Sequence, residues 1–377
     1  MRLTLLLFPV AAQVLFLTNP IGLYIHIPFC LKKCNYCDFY SVSANEDIKR
    51  DYVKALIREI KQWGDSLGRP IDTVYFGGGT PSLLAEFLPD IMNAVKSSFT
   101  LCEDAEITME INPADNCREI LSFALKSGVN RLSIGAQSGD DNELKVLGRR
   151  HTTKQTVETV RLARELGFEN ISLDIMLALP NSNEKTLEKS LKFITGLEPE
   201  HISAYILKVE ENTPFNKLYD RLHLPDEDGA ADQYLQMCRY LENIGYGHYE
   251  ISNFSKSGFE SRHNLKYWEL KEYLGLGPSA HSFIDGKRFF YDRNLNEFIK
   301  GASPLPDGEG GNEEERVMLA LRLSEGLKIS LTPPLAKKCD LLSKCGLLNM
   351  KDGFISLTDK GMLLSNSIIT EILECIK

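Results

Sequence analysis

Three cysteines fall within eight residues of one another, in the run Cys30-Leu31-Lys32-Lys33-Cys34-Asn35-Tyr36-Cys37. Thiolates spaced C-x3-C-x2-C on one loop can converge on a single centre, and soft thiolates select zinc or an iron–sulfur cluster. A structural zinc site needs a fourth ligand. His26 is the nearest imidazole, but it sits in a strand pattern and its side chain need not reach the loop. Three thiolates on a [4Fe–4S] cube leave one iron without a protein ligand. An open coordination position marks chemistry rather than simple electron transfer. Zinc, or three unrelated thiols, are the alternatives at this point.

Other chemistry-bearing residues stand at the ends of apolar runs. The strand patterns are Leu23–Ile27, Thr73–Phe76, Ile107–Ile111, Arg131–Ile134, Ile171–Met176 and His201–Tyr205. Helical patterns separate them at Asp47–Trp63, Leu83–Ser97, Arg118–Lys126, Thr153–Leu166 and Glu184–Ile194. Short apolar runs alternating with amphipathic helices imply βα units and a parallel sheet, either doubly wound or most of a (β/α) barrel. In such folds, function sits at the C-terminal ends of the strands. Here the first strand leads to Cys30 and the second ends in Gly77-Gly78-Gly79-Thr80. The third contains Glu110, the fourth is followed by Gln137, and the fifth contains Asp174. Five successive strands that turn polar or glycine-rich at the same end point to one site.

Composition narrows the function classes. The chain has 377 residues, enough for two or three domains. It is 43% hydrophobic and 25% charged, which is ordinary globular composition rather than that of a disordered chain. A formal net charge of −9 argues against a dominant phosphate-binding surface, so no nucleic-acid partner is expected. Nine cysteines, an odd number, suit a reducing compartment better than a disulfide framework, so a cytoplasmic location is expected. Cysteines 102, 117, 238, 339, 345 and 375 show no metal-like spacing.

The ends of the chain read differently. Residues 3–17 are an apolar run interrupted by Pro9 and Gln13, too short for an ordinary transmembrane helix. It can be read as an export signal, as an anchor giving weak membrane association, or as residues added by an upstream start codon. The last reading is expected, because a labile cysteine-bound centre would not survive export to an oxidising compartment. Gly301–Gly311 reads as a loop. Asn312 and Glu315 resemble a capping box that opens a helix through Leu323. A helical pattern at Pro334–Cys345, a strand-turn-strand at 347–358 and a final helix suggest a winged-helix-like module with a packing or partner role. The expected division is a leader at 1–19, a β/α core at 20–215, a connecting region at 216–305 and the C-terminal module at 306–377.

The cysteine spacing, with Tyr36 before the third cysteine, resembles the radical S-adenosylmethionine (SAM) superfamily. The run Tyr24-Ile-His26-Ile-Pro-Phe-Cys30 is similar to the branch that holds the oxygen-independent coproporphyrinogen III oxidase HemN and the haem chaperone HemW. The resemblance implies a partial (β/α)6 barrel with a smaller C-terminal α+β domain. It implies a [4Fe–4S] cluster on Cys30, Cys34 and Cys37, with SAM chelating the open iron and cleaved by the reduced cluster to a 5′-deoxyadenosyl radical. It assigns SAM contacts to Gly78, Gly79, Thr80, Glu110, Gln137, Arg149 and Asp174, and places Tyr24 and Tyr36 near the cluster and adenine. Carboxylates suit amino and ribose hydroxyl groups, and arginine suits a carboxylate. A reductant such as flavodoxin or ferredoxin is implied as a partner.

Two details separate the branch members. The oxidase carries a fourth cysteine two residues after the third, where this chain has Phe39. The run His263-Asn264-Leu265-Lys266-Tyr267-Trp268 resembles the H-N-x-x-Y-W signature of the chaperones, in which the histidine is implicated in haem binding. An exposed neutral imidazole can ligate haem iron, and Tyr267 and Trp268 can pack on a porphyrin. A core aromatic cluster around a hydrogen-bonded His263 is the competing reading. His281 is a secondary haem candidate. The expectation is a haem chaperone carrying a cluster and SAM and delivering haem to acceptor proteins. The alternative is a coproporphyrinogen III oxidase. No catalytic residue is assigned.

Overall fold

The computed structural model describes residues 19–113 and 117–376. The expected leader, residues 1–19, lies outside the described residues except for Asn19. The chain runs through β1 (Ile21–Ile27), α1 (Glu46–Leu67), β2 (Ile71–Gly78), α2 (Leu88–Ser98), β3 (Leu101–Ile111) and α3 (Cys117–Ser127). It continues through β4 (Arg131–Gln137), α4 (Asp141–Val146), α5 (Thr153–Glu165), β5 (Asn170–Leu177), α6 (Glu184–Thr195) and β6 (His201–Ile206). β1 to β6 lie side by side in chain order, and every neighbouring pair is parallel. This is the partial βα barrel expected from the alternation of strands and helices, and its sheet stays open.

Side-chain alternation explains what the barrel can hold. Parallel strands usually bury apolar residues on both faces. Here Leu23, Ile25, Val74, Phe76, Met109, Leu132, Ile134, Leu173 and Ile202 are fully buried beneath the helices. The alternate positions are polar. Tyr24, Tyr75, Glu110, Ser133 and Asp174 face the interior, where Tyr75 donates to Glu110 and Ser133 donates to Asp174. The outer face supplies the hydrophobic stabilisation. Truncating a fully buried Leu132 or Ile25 to alanine costs about 2–5 kcal/mol. The inner face is free to build a site.

The helix boundaries follow local chemistry. Asn45 caps α1 by accepting from Ile48 N, and Gly68 ends it in a left-handed conformation (φ 57°). Thr152 and Gln155 form a full capping box on α5. The single helix expected over Leu83–Ser97 is instead a 3-10 helix, Pro81–Phe87, followed by α2. The break falls where Pro89 fits only a helix start. α4, capped by Asp140, has no counterpart in the pattern read from sequence.

Beyond β6 lie α7 (Glu227–Asn243), β7 (Gly247–Glu250), β8 (Asn253–Ser255), α8 (Arg262–Trp268), β9 (Tyr273–Leu276), β10 (His281–Ile284), β11 (Lys287–Phe290), α9 (Leu295–Lys300) and β12 (Leu305–Glu309). β8 and β7 add antiparallel strands beside β6. β9 pairs in parallel with β1, and β10 to β12 extend that edge as an antiparallel meander. The loop expected over 301–311 therefore contains an edge strand, and a boundary at 305/306 cuts through it. α8 closes the N-terminal ends of the strands. The Glu106 carboxylate accepts from Arg262 N and His263 N, each at 3.1 Å, and Lys266 pairs with Asp72 at 2.8 Å.

The C-terminal part holds α10 (Glu313–Ala320), β13 (Leu327–Lys328), α11 (Pro333–Lys344), β14 (Leu348–Lys351), β15 (Phe354–Leu357), α12 (Asp359–Leu363) and α13 (Ser365–Ile376). Its own three-stranded sheet runs β13-β15-β14. Asn312 caps α10 through Glu315 N, but the helix ends at Ala320 rather than Leu323. The Glu315 carboxylate accepts from Gly311 N and pairs with Arg288 instead of closing the expected box.

Candidate cluster and SAM site

The cysteine loop links β1 to α1 at the C-terminal end of the barrel. It is pinned by backbone bonds from Cys30 N to Val42 O (3.1 Å), from Val42 N to Pro28 O (2.8 Å) and from Cys37 N to Cys34 O (3.3 Å). Asn35 fastens it sideways, donating its backbone N–H to Leu147 O and its side-chain amide to Val146 O. All three cysteines are free and partly accessible. Burial pushes the Cys37 thiol up, a backbone bond from Phe39 opposes this, and neighbouring Cys34 and Cys30 push it further. A site that crowds thiols and disfavours their separate ionisation suits a cation or cluster that neutralises them together.

Thr80 after β2, Asn112 after β3 and Arg149 after α4 gather at this loop, above Gly135 of β4. Thr80 Oγ1 lies 3.4 Å from Cys30 Sγ, and Asn112 donates to the same hydroxyl at 3.1 Å. Arg149 directs Nη1 at Cys34 Sγ (3.6 Å) and donates from Nη2 to Asn112 Oδ1 and Gly135 O. Asn112 belongs to none of the motifs visible in the sequence. Its signal is its place at the end of the Glu110 strand, just before Pro113. Gly135 is the shared floor: a β-carbon there would stand 2.9 Å from Gln137, 3.0 Å from Arg149 and 3.2 Å from Asn112. Gln137 itself adopts a left-handed conformation (φ 68°), which turns the chain at the end of β4.

The glycine segment does what its composition suggests. Gly78 has φ 110°, and a β-carbon there would lie 2.6–3.0 Å from the His26 ring. At Gly79 a β-carbon would meet Phe29 O at 2.6 Å. Gly78 N donates to Glu110 Oε2 at 3.1 Å, and Tyr75 donates to Oε1 at 3.0 Å. Burial drives the Glu110 carboxyl up to about 7, with Asp174 adding to the rise. Asp174 is likewise raised to about 6 by burial, against the Ser133 hydrogen bond. Two buried carboxyls poised near neutrality suit a ligand that brings a positive charge and hydroxyl groups.

The sequence-assigned residues separate into two groups. Thr80 and Arg149 touch the cysteine loop, and Asn112 ties the two together. Both also line a cavity of about 470 Å³ that includes Leu31, Cys34 and His151. Tyr36 packs beside Leu147, Met176 and Phe215. Glu110, Asp174 and Tyr24 lie deeper. Tyr24 donates to His26 Nδ1 at 3.0 Å, the tautomer being set by the His26 Nε2 bond to Tyr40 O. Arg149 Nε is buried with no hydrogen-bond partner, and an orphaned guanidinium donor fits a carboxylate-bearing ligand. The three thiols, this donor and the glycine cradle together fit a cluster and SAM.

Of the two readings of His263, the hydrogen-bonded histidine of a core aromatic cluster is the one present, not the exposed imidazole. His263 is 1% exposed and lies within the barrel floor. Its Nδ1 is 2.8 Å from Thr73 Oγ1, its Nε2 is 2.9 Å from Tyr267 Oη, and its ring stacks on Tyr75. Burial drives the imidazole down to about 3. A metal ligand here would first have to give up one of the two bonds. The physical reason is α8 itself, a seven-residue helix docked end-on by Glu106, which carries His263 inward.

Comparisons with known proteins agree with the geometry. The profile of the radical SAM superfamily matches residues 24–194, and that of the HemN C-terminal domain matches residues 314–364. The heme chaperone HemW of Bacillus subtilis is 38% identical over 92% of this chain and 97% of its own length. HemW of Escherichia coli is 38% identical over 75% of this chain and 76% of its own. The solved structure of the coproporphyrinogen III oxidase HemN from Escherichia coli superposes with a TM-score of 0.80, covering 96% of this chain and 92% of that one, at 22% identity. That likeness fixes the fold and not the reaction. The near full-length identity to the chaperones fixes the family: this chain belongs to the HemW family of radical SAM proteins.

Proposed function

We propose that this protein is a haem chaperone that binds haem, holds a [4Fe–4S] cluster and SAM, and passes haem to acceptor proteins. The observation that carries the reading is the 38% identity to a heme chaperone HemW across nearly the whole chain. Phe39, 68% exposed, supports it by placing a phenyl ring where the oxidase resemblance requires a thiol.

Cys30, Cys34 and Cys37 would hold the cluster and Arg149, Glu110, Asp174, Gln137 and the Gly78–Thr80 segment would hold SAM. Bound there, the two groups supply one-electron chemistry. The residues do the rest. Arg149 fixes a carboxylate, Glu110 and Asp174 receive cationic or hydroxyl groups, and the glycines admit close backbone approach. Tyr36 anchors the loop by packing against the cluster that holds Leu147 and Phe215. A reductant is the expected redox partner. Among the described residues no helix is long and apolar enough to cross a membrane. Free thiols on the cysteine loop suit a reducing compartment.

Haem titration of the cluster-loaded protein tests the reading. A stoichiometric Soret band is expected. Turnover of coproporphyrinogen III with SAM and reductant, and no haem binding, would replace the chaperone with the oxidase.

A further inference from the structure

Seven histidines are present in the chain, and haem iron needs one with a free ring nitrogen within its reach. His26, His201 and His263 are buried with both ring nitrogens engaged. His151 is buried against Ala136 O, and His248 is held between Asp359 and Tyr234. Only His223 and His281 remain exposed among the described residues.

His281 is the better equipped of the two. It opens β10 on the edge meander, and its side chain is 58% exposed. Asp307, from β12, places a carboxylate oxygen 3.6 Å from Nδ1. The carboxylate lies close to Nδ1 without a hydrogen bond to it, and no side chain is bonded to Nε2, which leaves that nitrogen open to a metal. Phe290, paired with His281 across β10 and β11, stacks on its ring at 5.2 Å and 19°. Leu305, paired with Phe290 across β11 and β12, is 47% exposed. An imidazole, an aromatic ring and an aliphatic side chain thus lie in one cross-strand row.

The same sheet face continues two residues along each strand. Phe283 and Arg288, a cross-strand pair, line a pocket of about 260 Å³ together with Tyr267. Tyr267 is the tyrosine of the H-N-x-x-Y-W run and is bonded to His263. The motif reaches this face through its tyrosine, with the buried His263 as the brace behind it.

We propose that His281 Nε2 is the protein ligand to haem iron, with the macrocycle lying over Phe290 and Leu305 on the outer face of the β10–β12 meander. The step is formation of one Fe–N bond, with no redox change and no leaving group beyond a displaced solvent ligand. The inference rests on the reading of the chain as a haem binder. Haem titration of the full-length wild type is compared with His281→Ala, His223→Ala and His263→Ala. His281→Ala should bind haem about tenfold more weakly or worse and lose the ligated Soret band. Added imidazole should restore the band, and His223→Ala should titrate as wild type. Haem binding by the wild type with an unaltered His281→Ala, or loss in a folded His263→Ala alone, overturns this assignment. No haem binding by the wild type removes the haem-chaperone reading and this inference together. A His281→Ala defect that imidazole does not rescue also contradicts ligation.

Discussion

Arg149 reaches Cys34 from the far side of the barrel mouth: its Nη1 stands 3.6 Å from the Cys34 sulfur. Its Nη2 is tied to Asn112 and to the Gly135 carbonyl, and its Nε has no partner. One guanidinium therefore reads the position of the cysteine loop and keeps a donor in reserve. Replacing it should separate two properties. Arg149→Met is expected to keep most of its iron, because the three thiols remain. It should bind SAM about 10–100-fold more weakly, the value of one or two charge-assisted hydrogen bonds. Iron content and SAM binding measured on the same anaerobic sample check this, and unchanged SAM affinity would remove Arg149 from the site.

Glu110 carries a pH signature. Its folded-state carboxyl is raised to about 7 from an ordinary value of 4.5, chiefly by burial. Between those limits the folded protein holds a proton that the unfolded chain has released, so folding stability falls as pH rises through this window. The full effect is roughly 3 kcal/mol. Because buried histidines such as His263 titrate in the opposite sense, the effect is read as a difference: the excess stability of the cluster-free wild type over Glu110→Gln, from urea unfolding, should fall between pH 5 and pH 8. The sign reverses for a cationic ligand. SAM should bind more tightly as pH rises through 7, and the variant should show a flat, weak profile.

Gly78 is a conformational requirement. Any side chain would enter the His26 ring at under 3.0 Å and oppose φ 110°. Gly78→Ala should cost about 2 kcal/mol or more and displace the backbone N–H that Glu110 accepts. Thermal unfolding beside cluster reconstitution tests this, and wild-type values for both would show that the segment tolerates a β-carbon.

His263 and His281 should behave oppositely in stability. His263 is buried with two ring hydrogen bonds, so His263→Ala should lose about 2–4 kcal/mol through a cavity and two orphaned hydroxyls. The exposed His281 should change stability by less than about 0.5 kcal/mol on truncation. Equilibrium denaturation of both variants decides this. A neutral His263→Ala would contradict its role as a barrel-floor brace.

The sequence and the fold agree where a short-range pattern suffices. β1 to β6 were legible because each is an apolar run bounded by turn signals. The cysteine loop was legible because its ligands are contiguous. Glu110 and Asp174 were visible as acids inside apolar runs. The failures are long-range or energetic. β9 to β12 join the edge beside β1 by pairing across some 250 residues, which no local pattern encodes. Pro89 divides a helix that its hydrophobic spacing would have continued. Asn112 needed its partners Thr80 and Arg149 to acquire meaning. His263 kept two readings, exposed ligand or hydrogen-bonded core residue, because nothing in a seven-residue helix announces that Glu106 will dock its N-terminus against the barrel.

One anaerobic spectrum tests the haem-chaperone function most directly. Protein reconstituted with iron and sulfide should show iron–sulfur absorbance that is lost in a Cys30→Ala, Cys34→Ala, Cys37→Ala triple variant. Adding haem to the reconstituted wild type should then give a saturable Soret band, with no conversion of coproporphyrinogen III in the matched assay. Cluster formation without haem binding, or porphyrinogen turnover in its place, would contradict it.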